Sequence, residues 1–273
     1  MHAASRGALA TLRERLSAVT NRFSTVDGLT TLSTELMQVG DLLTAQPLLR
    51  RRLADPSTNP EGRADLAAQL LDNRIGTSSV SLVREAVALR WSSPWDLIDA
   101  LEILSDEVLL AAADQTGTLD AVEDELFRFG RIIDGDSRLS TLLDDMAATA
   151  DRRVELVRAL VGGKVDTVTQ LLLEHAVASA RKRTLSHAVD ALLDLTAEHR
   201  NRSTARVVSA VELTAAQERR LAEALTEIYQ RPITVLSAVD PRVRGGLVVR
   251  VGGEIIDGSV TARLAEIRAA LAG

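Results

Sequence analysis

Apolar residues recur at steps of three and four from residue 5 to about 200, the spacing of helices that each bury one side. Leu9, Leu12, Leu16, Val19 and Phe23 set the rhythm, and Leu29, Leu32, Leu36, Val39 and Leu43 repeat it. Asn59 before Pro60, Ser93 before Pro94, and Thr77 each offer a capping side chain or a φ-fixed first residue where a helix begins. Gly117, Gly135 and the pair Gly162 and Gly163 stand where helices stop. The pattern predicts helices over 5–23, 29–44, 47–54, 60–72, 77–91 and 94–113, then over 118–134, 137–146, 150–161, 166–182 and 185–200. Connections this short make successive helices pack as close neighbours in bundles.

Near residue 204 the period changes to two, because ARVVSAVEL alternates and is rich in β-branched residues. Thr214 with Gln217 then forms a capping box before a helix carrying Leu221, Leu225 and Ile228. ITVLSAV and GLVVRV read as strands, Asp240 and Pro241 as a turn, EIID as the returning segment, and the stretch from Ser259 as a capped closing helix. The chain is therefore expected to be mainly α, with tandem helical bundles over 1–115 and 116–202 and a small β-α-β-β-α domain over 203–273.

The two bundles resemble each other. A shift of 90 residues lays ELMQVGDLL, from Glu35, on ELFRFGRII, from Glu125. Without a gap it then lays Leu53 on Leu143, Asp55 on Asp145, Leu70 on Leu160 and Thr77 on Thr167. Each copy contributes about five helices, the helix over 5–23 is extra, and the one over 94–113 is placed to serve both bundles.

Composition narrows the functions available. The formal charge is −6 and aromatic residues make up 2% of the chain, so neither a basic footprint nor stacking platforms for nucleic acid are present. With no cysteine there is no thiol nucleophile or thiolate metal site. No segment approaches the ~18 apolar residues of a membrane span, and the start lacks a signal sequence; a soluble, unexported chain is expected. GGKVD at Gly162 lacks the upstream glycine and the Ser or Thr of a phosphate-binding loop. His175, His187 and His199 lie 12 residues apart and offer no paired ligands, so they are expected to be solvated or capping groups. Arg50, Arg51 and Arg52 suit the end of a helix or an acidic partner. No catalytic residue, cofactor or metal is expected.

The most specific signal is C-terminal. IxVxxxVDxxVxGGLVVRVG from Ile233, followed by DGSV at Asp257, resembles the signature of the ATP synthase delta subunit family, the bacterial counterpart of the mitochondrial oligomycin-sensitivity-conferring protein. AxVxSAxxL, from Ala205, is similar to that family's inter-domain joint. The extra helical copy resembles the family's actinobacterial branch.

The resemblance implies a non-catalytic stator on the cytoplasmic face of the cell membrane. Its helical region would receive the N-terminal helices of the alpha subunits of the catalytic head. Its C-terminal domain would hold the end of the b-type stalk subunit, with no insertion into the membrane. Leu171, Leu172 and Val177 on the 166–182 helix are the candidate head contacts. Asp240, Gly245, Gly246, Asp257, Gly258 and Ser259 are expected to shape the signature rather than touch a partner. A helical adaptor unrelated to ATP synthesis is the rival reading.

Overall fold

The computed structural model describes residues 2–145, 147–179, 184–229, 233–240, 243, 245–251 and 254–258. The helices are α1 (Ala3–Thr20), α2 (Val26–Ala45), α3 (Pro47–Leu53), α4 (Pro60–Leu71), α5 (Thr77–Ala88), α6 (Pro94–Thr116), α7 (Leu119–Gly135), α8 (Ser137–Leu143), α9 (Ala150–Val161), α10 (Thr167–Ala178) and α11 (Leu185–Ser203). After them come β1 (Thr204–Ser209), α12 (Ala215–Tyr229), β2 (Thr234–Val239), β3 (Leu247–Val251) and β4 (Glu254–Asp257).

The 90-residue shift holds at the level of whole elements. It carries α3 onto α8, α4 onto α9 and α5 onto α10 at both ends, and the helix order of the two copies is the same. Several expected caps form: Asn59 accepts from Glu61 N and Ser93 from Trp95 N. Gly117 caps α6 at φ 71°. Gly163, at φ 68°, has its counterpart in Asn73, which holds φ 61° after α4. Asparagine tolerates that left-handed turn better than other side chains, so the two residues do the same job.

Other start and stop residues have different roles. The N-caps of α5 and α10 are Gly76 and Asp166, and Thr77 and Thr167 are the first helical residues. Gly135 is the last residue of α7 rather than a stop beyond it.

Residues 1–196 form one compact unit. Among the described residues, its buried apolar side chains other than Met37 make a single cluster running from Ala8 to Leu195. The centre of that cluster is α6, whose Leu97, Ile98, Leu101, Leu104, Val108, Leu109 and Leu110 are all buried. A helix whose buried apolar residues reach round most of its circumference needs neighbours on several sides. Accordingly α6 packs on α1, α2, α3 and α5, and also on α7 and α10. Where α2 crosses α6, Ser33 Oγ donates to Ser105 O at 3.0 Å and Ser105 Oγ to Ser33 O at 2.9 Å, and Gly40 lies against Ile98.

Residues 197–273 form a second unit. Its strands lie in the order β2-β1-β3-β4, with β1 parallel to β2 and the other pairings antiparallel. EIID is thus a fourth strand of the sheet, one more than the β-α-β-β-α pattern allows. Leu225 of α12 is buried with Ala205, Val207, Ile233, Val249 and Val251. The capping box closes as expected, Gln217 Oε1 accepting from Thr214 N at 2.9 Å. The strand predicted from ARVVSAVEL ends early at Ser209, whose Oγ turns back to donate to Val211 O at 2.6 Å. Ser259 and the predicted closing helix lie outside the described residues.

Candidate functional site

Two devices built from polar side chains recur in both copies of the helical unit. Arg63, on α4, donates to the carbonyls of Asp55 (2.6 Å), Thr58 (2.6 Å), Val87 (2.7 Å), Ala88 (3.0 Å) and Leu89 (3.2 Å). Arg153, its equivalent on α9, donates to Asp145 (3.1 Å), Ala148 (3.3 Å) and Val177 (3.3 Å). Each guanidinium thereby ties the end of one helix to the loop before its own, a geometry that five donors in a fixed fork can satisfy and an ammonium cannot. The second device is a carboxylate that caps a helix from the side. Glu35 accepts from Gly76 N at 2.9 Å and from Ser79 Oγ. Glu125 accepts from Asp166 N at 2.9 Å and Thr169 Oγ1 at 2.6 Å, so it satisfies the start of α10 as Glu35 does that of α5.

The copies differ where charge lies between helices. α5 and α4 are bridged by an exposed Arg84–Asp65 pair at 3.2 Å. At the corresponding interface Glu174 of α10 accepts from Arg158 of α9 at 2.8 and 2.6 Å. Burial works to raise the Glu174 carboxyl, but hydrogen bonds from Arg158 and Gln170 outweigh it and hold it below its ordinary range. The junction between copies carries its own pair, His175 Nδ1 on α10 lying 3.1 Å from Asp106 Oδ1 on α6. Burial pushes the Asp106 carboxyl up, with His175 pulling the other way. His175 is therefore neither solvated nor a cap, because the fold brings it against a carboxylate of the other copy.

The candidate contact residues fall at different depths. Leu172 and Val177 are fully buried, and their work is in the core, since a partner could reach them only if the helix repacked. Leu171 is partly buried against that core and keeps some surface. Arg50 does not serve the end of its own helix: it donates to Leu43 O at 3.0 Å and Thr44 O at 3.1 Å, closing α2, and lies 3.8 Å over the Trp95 ring.

In the second unit Asp240 N donates to Ser209 O at 2.9 Å, joining the ends of β2 and β1. Gly245 and Gly246 hold φ of 72° and 80°; the left-handed turn before β3 is what requires glycine there. Asp257 is a strand residue opposite Val248 rather than part of a turn. Gly258 N donates to Leu247 O at 2.8 Å, and a Cβ at Gly258 would stand 3.2 Å from that oxygen.

Among the described residues no three His, Asp or Glu side chains are grouped to hold a metal ion, and no helix is long and apolar enough to cross a membrane. The site the fold offers is thus surface on two units. Residues 107–271 match the model of one family, described as the ATP synthase delta (OSCP) subunit. The chain belongs to that family.

Its likeness to individual members extends beyond the matched span. It is 45% identical over 273 residues to the ATP synthase subunit delta of Streptomyces griseus, covering 100% of both chains. It is 44% identical over 242 residues to that of Salinispora tropica, covering 89% of this chain and 88% of the other. It is 39% identical over 261 residues to the ATP synthase subunit b-delta of a Mycobacterium species, covering 93% of this chain but 59% of that longer protein. The family match begins inside α6 and leaves out most of the first copy, whereas the Streptomyces relative spans both. Membership makes the chain a non-catalytic, peripheral-stalk subunit of a proton-translocating ATP synthase, and the unrelated-adaptor reading falls away.

Proposed function

We propose that the helical unit docks on the catalytic head by receiving the amphipathic N-terminal helices of alpha subunits, while residues 203–273 hold the C-terminal end of the b-type stalk subunit. A segment that receives an apolar helix stripe is an ordinary recognition mode. Two attachment points on one chain gain from high effective concentration. The complex would lie on the cytoplasmic face of the membrane. There the chain keeps the head from turning with the rotor, so that proton flow is coupled to ATP synthesis. The family match over 107–271 carries the reading, and the division into two compact units supports two separate attachments. The domain limits 1–115 and 116–202 are proposed as the limits of the duplicated sequence, with the head contact on the second copy near Leu171.

The test titrates the full chain with a peptide of the alpha-subunit N-terminus and, separately, with the soluble end of the stalk subunit. Leu171→Asp, at a partly accessible position, should weaken the first interaction and leave the second unchanged while the variant stays folded by circular dichroism. Unaltered binding of the alpha peptide would refute the placement near Leu171; binding of neither partner would refute the reading itself.

A further inference from the structure

The duplication sets a pair of side chains at one spot twice, with different chemistry each time. α1 packs on α5 as α6 packs on α10, and the 90-residue shift that carries α5 onto α10 lays Glu85 on His175. In the first copy Arg15 of α1 lies 3.5 Å from Glu85, the two side chains being 65% and 42% exposed. In the second, His175 Nδ1 lies 3.1 Å from Asp106 Oδ1 of α6, and the side chains are only 12% and 18% exposed. Neither arginine nor glutamate ordinarily changes charge between about pH 6 and 8, and a pair so wet is screened. Histidine is the side chain that ordinarily does change charge in that range, and here it is held against a carboxylate that is mostly withdrawn from water.

A single proton therefore decides how the two groups meet. With it, imidazolium and carboxylate share a charge-assisted hydrogen bond. Without it, the carboxylate stays behind against a neutral ring, and a buried charge lacking a counter-charge is costly. Burial pushes the Asp106 carboxyl up while His175 draws it down, as in two groups that titrate together. The charges around the pair do not take over the proton's part. Glu102 and Glu107, which flank Asp106 on α6, are both acidic, and Glu107 is bound to Arg13 of α1 at 2.8 Å. Next to His175 on α10, Glu174 is bound to Arg158 of α9. α7 turns Glu125 to the start of α10, α2 turns Glu35 to the start of α5, and α3 turns Arg50 to the end of α2. α11 keeps His187, Asp190 and Asp194 exposed.

We propose that His175 and Asp106 form a proton-dependent latch between the two helical copies, firm when the pair holds a proton and weak when it has lost it. The inference concerns how the chain holds itself together, so it stands apart from the docking reading and is tested without a partner.

The test is a pair of double-mutant cycles in the full chain, read by urea unfolding at about pH 6 and about pH 8. Asp106→Asn, His175→Gln and the double variant give the coupling within the second pair, and these amides keep hydrogen-bonding groups while abolishing titration. Arg15→Gln, Glu85→Gln and their double variant give the coupling within the first. The Asp106–His175 coupling should multiply the folding equilibrium constant about 10-fold at the lower pH and about twofold or less at the higher. The Arg15–Glu85 coupling should be small at both. Nuclear magnetic resonance of the imidazole carbons supplies a second readout, with the His175 signal assigned by its absence from His175→Gln. Asp106→Asn should move the midpoint of the His175 titration to lower pH, which removal of a mere packing contact would not do. The proposal is overturned by an Asp106–His175 coupling equal at both pH values, by an equal fall in the Arg15–Glu85 coupling, or by a His175 midpoint that Asp106→Asn leaves in place.

Discussion

At the scale of single residues, the helical unit depends on polar groups that a count of charges would place on the surface. Arg63 satisfies five carbonyl oxygens from within the fold. Its replacement by alanine leaves several acceptors without donors, each costing about 1–3 kcal/mol. Arg63→Ala should therefore lose about 3 kcal/mol or more in urea unfolding, and Arg63→Lys should restore little of it because lysine has no fork. Asp106 carries a pH prediction. Its folded-state pKa is raised above the ordinary 3.8, burial being the chief cause, so the folded chain binds that proton more tightly than the unfolded one. Its contribution to stability is greatest below the unfolded pKa and is lost as pH rises toward the folded value. Asp106→Asn removes that loss while keeping an acceptor for His175. Its melting temperature relative to wild type should therefore rise between pH 4 and pH 7, and a difference that does not change with pH would contradict the argument. None of these partnerships could be read in the sequence, because Asp106 and His175 lie 69 residues apart and meet only when α6 and α10 pack. The sole trace of the arginine device was that the 90-residue shift lays Arg63 on Arg153.

Elements were far more legible. Caps, proline at first turns and the three-four spacing act locally, and so α3, α4, α8 and α9 fall close to where the pattern puts them. What local signals could not supply was the reason for paired features inside helices. Gly40 and Gly130 lie inside helices, as the predicted bounds 29–44 and 118–134 place them, but only the packing shows that they face Ile98 and Val189. A Cβ on Gly40 would meet Ile98 Cγ2 at 3.9 Å, an ordinary contact. Gly40→Ala should therefore stabilise the chain by about 0.5–1 kcal/mol through helix propensity. Gly40→Leu should instead force α2 from α6 and destabilise it, and chemical denaturation of both variants checks the contrast. In the second unit the alternation of residues foretold the strands but not the order β2-β1-β3-β4. That order follows from long-range pairing, which leaves no local mark.

For the whole molecule, the continuous core from Ala8 to Leu195 makes the two helical copies one body in unfolding. Leu104→Ala, at the centre of α6, creates a cavity worth about 2–5 kcal/mol. Amide exchange followed by mass spectrometry should then show protection falling together in α4 and in α9, one from each copy. Loss confined to one of them would mean that the copies unfold separately.

The sharing of α6 also bears on how such a chain could change over time. A chain shortened to its first copy would lose α7 and α10 from α6 and bare the apolar side chains beneath them to water, an aggregating surface. A tandem copy that shares α6 in this way acts as a ratchet: one copying event suffices to lengthen a chain, while return requires several polar replacements on α6 before the deletion can be tolerated.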